Sequence, residues 1–491
     1  MRRTWFKRVA FGVVGLGLLG LSVWVADHFV GRQSDRRRLD EALAQLDADD
    51  PNWHVLGVVK AHNAAIPADD ADNVTKATLS ALGLRPASWA ARQKEMYAGG
   101  KIPQIEWDED RLPHDDAFCS LYEVFLESGD AFRAALATRR LPRGGLPFHF
   151  AEPDPFGTLL PDLQTHRETF HLFSEYATVE AYFDRGDEAL RASGAGLHVG
   201  QVSLATEPTM ISQLVRIAGS AIAVTSAQRT LAWSEPTDEL APLQAAFAAA
   251  AAVDGMTAAV RGERAGILRV HANVRSGALP GDYFEKMGIG LGPAPSYPPW
   301  VTRYLRRFKG RNPTRDEAES LRIMNEFVAA MRLDGPARRA ACDAVTARDN
   351  SAAAAALMPS VAKVVGADDR VKAGLGCAAV GLACERYRRQ TGRFPRALAE
   401  VPASILPAVP TDPYTGTPLS YKLLPDGAVV YTVGPDKTFV GGQPHDLTKG
   451  APLRLYEFRL WNVESRRRPP TPRPEPEESD DTLETPAGAT P

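Results

Sequence analysis

Residues 411–437 read TDPYTGTPLSYKLLPDGAVVYTVGPDK, and this stretch decides how the C-terminal part of the chain folds. Two short apolar runs, residues 419–424 and 428–433, flank the tripeptide Pro425-Asp426-Gly427. A glycine at this point supplies the positive φ that tight hairpin turns need. The stretch therefore predicts an antiparallel β-hairpin.

A long amphipathic helix is predicted before this hairpin, over residues 368–391. Gly392 is placed to end it, and Phe394-Pro395 prevents it from resuming. The C-terminal module, assigned to residues 361–463, is thus a small α+β unit. The predicted core face of the helix carries small or apolar side chains at helical spacing, which are Ala373, Cys377, Val380, Cys384 and Tyr387.

This module resembles the globular end of type II secretion pseudopilins. The same arrangement is typical of the C-terminus of uncharacterised membrane-anchored bacterial proteins that are not pseudopilins, and this chain is more similar to those. The resemblance covers only the C-terminal part of the chain. The matching residues are ERYRRQTGRFPRALAEV at 385–401, Pro410 to Tyr414, Gly416, Pro418, Leu419, Tyr421, Tyr431 to Asp436, and Gly441-Gly442.

Two departures from the pseudopilin pattern argue against assembly into a filament. A prepilin carries a Glu where its apolar helix begins, and the apolar run at residues 9–26 of this chain contains none. The apolar helix of a pseudopilin also continues into its globular end, whereas here residues 27–367 separate the two. A secretion pseudopilin-related component is therefore the lowest-ranked of three functional hypotheses for this chain.

The resemblance also implies a loop that can hold calcium, and it points to Asp436 as the metal candidate. Calcium prefers six to eight oxygen ligands. No second carboxylate lies between Asp436 and Gly441-Gly442. We therefore expect Asp436 to form a turn, with metal binding as the alternative, and no cofactor is predicted.

The run at residues 9–26, VAFGVVGLGLLGLSVWVA, is uncharged and long enough to cross most of a bilayer core. A cleaved signal peptide shares this pattern, but Val23-Trp24-Val25 leaves no small-x-small cleavage site, so an uncleaved anchor is preferred. Basic residues lie on both sides of the run, which weakens the assignment of orientation. The signal-like start favours a single-pass protein of the cytoplasmic membrane with its bulk outside the cytoplasm.

Between the anchor and the C-terminal module, the chain is predicted to be mainly α-helical. Residues 1–34 form the anchor and its flanks, 35–162 a helical and irregular lead-in, and 163–360 a helical body. No repeat of fixed period is present, so the body is expected to be an irregular bundle or a set of helix hairpins. The predicted core stripes are Phe170, Phe173 and Ala177; Ile211, Leu214, Ala218 and Ala221; Leu240, Leu243 and Phe247, with Thr237 as helix cap; and Leu321, Met324, Val328 and Met331.

Residues 464–491 are dense in proline and charge and are predicted to be disordered. The formal net charge of the whole chain is -3, which gives no reason to expect a nucleic-acid partner. The four cysteines are too scattered for a disulfide framework and are expected to be small core residues.

No sequence motif of catalysis is recognisable. The chain has no GxSxG, no phosphate loop and no cysteine pair at zinc spacing. We therefore expect a membrane-anchored extracytoplasmic component of the bacterial envelope, structural or protein-binding, with an unidentified protein partner. The alternative is an enzyme of unknown chemistry with a site in the helical body. That alternative needs a pocket that joins some of His114, Asp115, His149, Glu152 and His166.

Overall fold

The structure is a computed structural model that describes residues 32–89, 91, 110–160, 162–280, 283–286, 313–348, 352–442 and 455–471. The predicted membrane segment, residues 9–26, lies outside the described residues. Within them, two stretches are long and apolar enough to cross a membrane, Met210–Trp233 and Leu240–Ser276. Both belong to the packed helical body, and core helices satisfy the same criterion of length and composition.

The described chain is mainly helical, with one small antiparallel sheet, as predicted. The first nine helices extend over α1 (Arg32–Asp49), α2 (Val55–Ala65), α3 (Val74–Leu82), α4 (Asp115–Ala137), α5 (Asp162–Tyr182), α6 (Gly186–Leu204), α7 (Met210–Trp233), α8 (Leu240–Ala251) and α9 (Met256–Ser276). The remaining elements are α10 (Tyr283–Lys286), α11 (Pro313–Met331), α12 (Gly335–Thr346), α13 (Ala352–Thr391), β1 (Ser420–Leu424), β2 (Gly427–Tyr431) and β3 (Glu457–Trp461).

Helices α5, α6 and α7 pack against one another, and α8 packs on α6 and α13. The sequence suggested that Thr237 caps the start of α8, and the structure does not show this cap. Instead, the Asp187 carboxylate on α6 accepts hydrogen bonds from the backbone N–H groups of Thr237, Asp238 and Glu239. A side chain from a neighbouring helix therefore holds the three residues that lead into α8, and it does not cap the first turn of the helix.

The predicted core stripe of α7 is wrong. Ile211 and Leu214 are 54% and 40% exposed. The buried face instead carries Arg216, which pairs with Asp368, and Gly219, where a Cβ would come within 2.5 Å of the Phe170 ring. Apolar spacing selected the wrong face because the buried face combines polar and small residues with apolar side chains such as Val215 and Val224.

The predicted stripes of α8, α11 and α13 are confirmed, because each of their residues is buried. Helix α13 begins at Ala352 instead of near residue 368 and has 40 residues. The boundary predicted between residues 360 and 361 thus falls inside this helix. Cys342, Cys377 and Cys384 are buried, whereas Cys119 is exposed.

The predicted hairpin is confirmed, with Leu424 opposite Gly427 across its turn. A third strand, β3, was not predicted and pairs antiparallel with β2, which gives the order β1-β2-β3. Gly427 is required by this third strand, since a Cβ there would lie 2.0 Å from the Leu460 carbonyl oxygen. The sheet packs on α13 and α7 through a core that includes Val430, Phe458 and Leu460.

The start of the predicted disordered tail is packed on the body. Arg466 is 9% exposed and contacts the fully buried Glu385 of α13, with Nη2 2.9 Å from Oε1. Arg467 donates to the Trp233 carbonyl oxygen at 3.0 Å. Residues 464–471 are therefore ordered, contrary to the prediction, and residues 472–491 lie outside the described residues.

Buried ion pairs join α7, α12 and α13. The Asp368 carboxylate contacts Arg216 at 3.0 Å, Arg338 at 3.1 Å and Lys372 at 3.1 Å. Burial opposes ionisation of Asp368, but the three cations outweigh that effect and hold its pKa below the ordinary value. The helical body and the C-terminal helix are thus linked by charge as well as by apolar contact.

A matched pair of glycine substitutions tests the close approach of α9 to the start of α7. At Gly262, an added Cβ would lie 1.8 Å from the Pro208 carbonyl oxygen, whereas at Gly366 nothing lies within 4 Å. We expect Gly262→Ala to lower the free energy of unfolding by about 1–3 kcal/mol. Gly366→Ala should raise it by up to about 1 kcal/mol, because alanine favours a helix interior. Urea unfolding of the detergent-solubilised protein measures both, and equal effects would contradict this packing.

Candidate functional site

A cavity of about 520 Å³ lies beside the connection between α6 and α7. Two irregular segments, residues 146–151 and 157–160, form its walls, and the first residue of α5 closes one side. Most of the lining is apolar or backbone. The lining residues are Leu146, Pro147, Phe148, His149, Ala151, Gly157, Thr158, Leu159, Leu160, Asp162 and Glu207.

Glu207 is the buried acid of this cavity. It is 4% exposed and lies in the short loop before Pro208. Burial raises the pKa of its carboxyl to about 8, the negative charge of Asp162 adds to that effect, and a hydrogen bond with Ser212 opposes it. Burial therefore favours the protonated form of Glu207, and carboxyls with a raised pKa are typical of binding and catalytic sites.

His62 of α2 lies behind Glu207 and is itself 4% exposed. Its Nδ1 is 3.1 Å from the Thr206 carbonyl oxygen, and its Nε2 is 3.1 Å from the Leu146 carbonyl oxygen. The same Nε2 is 3.5 Å from Glu207 Oε1. The imidazole is thus held mainly by backbone carbonyl groups and supports the cavity wall at Leu146.

Asp162 is the second acid of the cavity and is half-buried at the N-terminal end of α5. A carboxylate is favoured at this end by the helix dipole. His166 follows one turn later, with Nδ1 2.9 Å from the Asp162 carbonyl oxygen, and burial lowers its pKa. Asp162 therefore places a second carboxyl group at the cavity of the buried Glu207.

The five residues proposed for an enzymatic pocket are not brought together. His149 lines the cavity and His166 lies next to it on α5. Glu152 pairs with Arg269, with Oε1 2.8 Å from Nε, on another cavity. His114 and Asp115 lie at the start of α4, where the His114 ring contacts the Thr471 carbonyl oxygen. Only one of the five lines the Glu207 cavity.

That other cavity has a volume of about 670 Å³ and lies among α1, α2 and α9. The polar side chains around it pair with one another. These pairs are Arg269–Glu152, Arg275–Glu317 and Trp53–Asp47. The cavity near Glu207 differs because no Arg or Lys is among the described residues that line it.

A second candidate site is an aromatic surface on α4 and the end of α5, made of Tyr122, Phe125, Leu126 and Phe183. The three α4 residues share one face at i, i+3 and i+4. Leu126 is 60% exposed and Phe183 is 41% exposed, while Tyr122 and Phe125 are half-buried. The Tyr122 and Phe183 rings are 5.4 Å apart, edge to face. Apolar side chains thus remain in solvent on a rigid base.

The base of the aromatic surface is a row of packed rings. Phe118 stacks on Tyr182 at 3.5 Å between centroids, and Phe125 packs on Tyr176 at 4.8 Å. The Arg185 guanidinium lies 5.0 Å from the Phe183 ring centroid. These contacts fix the exposed rings, so little conformational entropy is lost when another protein covers them.

Asp436 is exposed in the turn at residues 434–437. Across the part of the chain that the structure describes, no three His, Cys, Asp or Glu side chains are grouped so that they could hold a metal ion. The metal-binding role of Asp436 stays a prediction.

Sequence reasoning missed Glu207, Asp162 and His62. Nothing in the local sequence marks them, because the burial of Glu207 arises when residues 146–151 and α2 pack over it. Phe125 and Phe183 were visible as aromatics, but their shared surface depends on how α4 lies against α5.

No protein-family model matches this chain, and no curated protein or solved structure is detectably similar to it.

Proposed function

We propose that this protein is a membrane-anchored, extracytoplasmic component of the bacterial envelope that binds another protein. Residues 9–26 would hold it in the cytoplasmic membrane as a single span. The C-terminal part would be a pseudopilin-like module that packs on the helical body, and its role would be structural. The observation that carries the binding role is the aromatic surface.

The composition of the aromatic surface supports this proposal. Tyrosine, phenylalanine and arginine are enriched in protein interfaces, and a few such residues supply most of the binding energy. Isolated apolar side chains on a surface need no explanation, but adjacent ones on a rigid base often mark an interaction site. Tyr122, Phe125, Leu126 and Phe183 form such a group next to Arg185.

A charge placed in the aromatic surface should prevent partner binding. We expect Phe183→Arg to reduce co-purification of the partner by about tenfold or more, since the partner would have to bury an unpaired cation. The measurement is affinity capture of the solubilised, tagged protein from its own membranes, with quantitative mass spectrometry against an untagged control. Leu126→Arg is a second variant with the same expected result.

Leu333→Arg is the matched control, because Leu333 is 42% exposed and Phe183 is 41% exposed. The control should retain the partner at the parental level. If Phe183→Arg and Leu126→Arg retain the same proteins as Leu333→Arg, the aromatic surface is not the binding site. Circular dichroism of each variant separates lost binding from lost folding.

A further inference from the structure

The C-terminal segment that follows β3 runs alongside the residues that lead into α4. The Leu112 backbone N–H donates to the Arg468 carbonyl oxygen at 2.8 Å, and Arg111 and Arg468 form a parallel bridge. At the start of α4, His114 Nε2 lies 2.9 Å from the Thr471 carbonyl oxygen. The described part of this segment ends at residue 471. It therefore stops beside α4 and points in the direction in which α4 continues.

The aromatic surface lies on the same side of α4 as this contact. Asp115, Phe118 and Tyr122 follow one another at helical spacing and share a face. The Tyr182 hydroxyl donates to Asp115 at 3.4 Å, and the Tyr182 ring stacks on Phe118. Tyr122 is about 12 Å further along the helix axis than His114. The end of the described segment is thus close to the aromatic surface.

The next residues, 472–476, read Pro-Arg-Pro-Glu-Pro. Alternating prolines favour the extended polyproline II conformation, in which five residues cover about 16 Å. That length is sufficient to lead from Thr471 over Tyr122 towards Phe125. Proline-rich segments dock on aromatic side chains, and they lose little conformational entropy because their backbone is already restricted. The chemistry and the position of residues 472–476 therefore both suit the aromatic surface.

We propose that residues 472–476 dock on the aromatic surface of their own chain and that a protein partner must displace them. Their proline rings would cover the exposed aromatic side chains, and Arg473 would lie near the exposed acidic residues Glu123 and Glu127 of α4. The tail thereby regulates access to the aromatic surface. The competition rests on the protein-binding role proposed above, whereas the docking of the tail does not need a partner.

Photo-crosslinking of the purified, detergent-solubilised full chain tests the docking without a partner. Benzoylphenylalanine replaces Tyr122 in one variant and Leu333, which is 42% exposed, in another. We expect a light-dependent crosslink from position 122 to residues 472–476, identified by mass spectrometry, and none from position 333. A mixture of unlabelled and nitrogen-15-labelled protein separates the two ways in which the crosslink can form. Docking within one chain gives no crosslinks of mixed isotope.

Substitutions in the tail identify the segment that docks. Replacing Pro472, Pro474 and Pro476 together by glycine removes the rings and the preference for polyproline II. This variant should give at least about fivefold less of the crosslink from position 122, because both the contact and the restricted backbone are lost. Pro486→Gly is the control and should crosslink as the parent does. No crosslink to residues 472–476, an unchanged yield in the triple variant, or crosslinks of mixed isotope would each overturn the docking.

Affinity capture from the protein's own membranes tests the competition. The triple glycine variant should capture about threefold more partner than the parent, because a site that is covered part of the time binds with an affinity reduced by the covered fraction. Equal capture by the two chains, in the presence of the intrachain crosslink, would overturn the competition. Absence of any specific partner from both chains would contradict the protein-binding proposal, and the crosslink alone then decides whether the tail docks.

Discussion

Replacing Asp368 by asparagine is expected to lower the free energy of unfolding by about 3–5 kcal/mol. Asp368 is fully buried and contacts three cationic side chains, of which Arg216 is 1% exposed. Asparagine keeps the shape but removes the charge, so that Arg216 and Arg338 lose a counter-ion in a place that water cannot reach. The loss should appear as a lower urea midpoint with an unchanged m-value.

Asp70→Asn is the control for this substitution. Asp70 pairs with Lys76 at the surface, and its side chain is 69% exposed. An exposed pair contributes at most about 1 kcal/mol, so this variant should unfold almost as the parent does. If Asp368→Asn lowered the free energy of unfolding as little as Asp70→Asn, the buried ion pairs would not hold α7, α12 and α13 together.

The second large effect is a change in how stability depends on pH when Glu207 is replaced by glutamine. The pKa of Glu207 is raised to about 8 in the folded protein, from an ordinary value of 4.5 that applies when the chain is unfolded. A raised pKa means that the folded state binds this proton more tightly than the unfolded state. The resulting stability is fully present below pH 4.5 and is lost as pH rises through about 8.

Glutamine does not titrate, so Glu207→Gln should lack this dependence. The unfolding free energy of the parent minus that of the variant should fall by roughly 3–5 kcal/mol between about pH 4 and pH 9, because each tenfold difference in proton affinity between the folded and unfolded states contributes about 1.4 kcal/mol. Urea unfolding at several pH values gives this difference. Glu464→Gln, which changes an exposed carboxylate, should show a nearly constant difference. If the difference in unfolding free energy between the parent and Glu207→Gln did not change with pH, Glu207 would not be buried.

Local patterns were sufficient for much of the fold. Apolar spacing predicted the buried faces of α11 and α13, and Pro425-Asp426-Gly427 predicted the hairpin turn. Patterns failed where a contact over long sequence distance decides the outcome. The buried face of α7 includes Arg216, which pairs with the distant Asp368, and β3 joins the sheet across residues 432–456. A sequence window contains only one partner of such contacts.

The candidate sites were less predictable than the fold. The possible catalytic residues were chosen by residue type. This choice included His149, which lines a cavity, and His166, which lies next to it, but it missed Glu207. Chemistry at that cavity depends on burial, and burial of Glu207 requires α2, α5 and the segment 146–151 to meet. The aromatic surface likewise exists only because α4 packs on α5.

Photo-crosslinking from the aromatic surface tests the protein-binding proposal most directly. Benzoylphenylalanine is placed at Leu126 in one variant and at the exposed Leu333 in another, each in the full chain in its own membranes. We expect light-dependent formation of one discrete protein adduct from position 126, identified by mass spectrometry, and none of that adduct from position 333. Absence of a specific adduct from position 126, or the same adduct from both positions, would contradict the proposal.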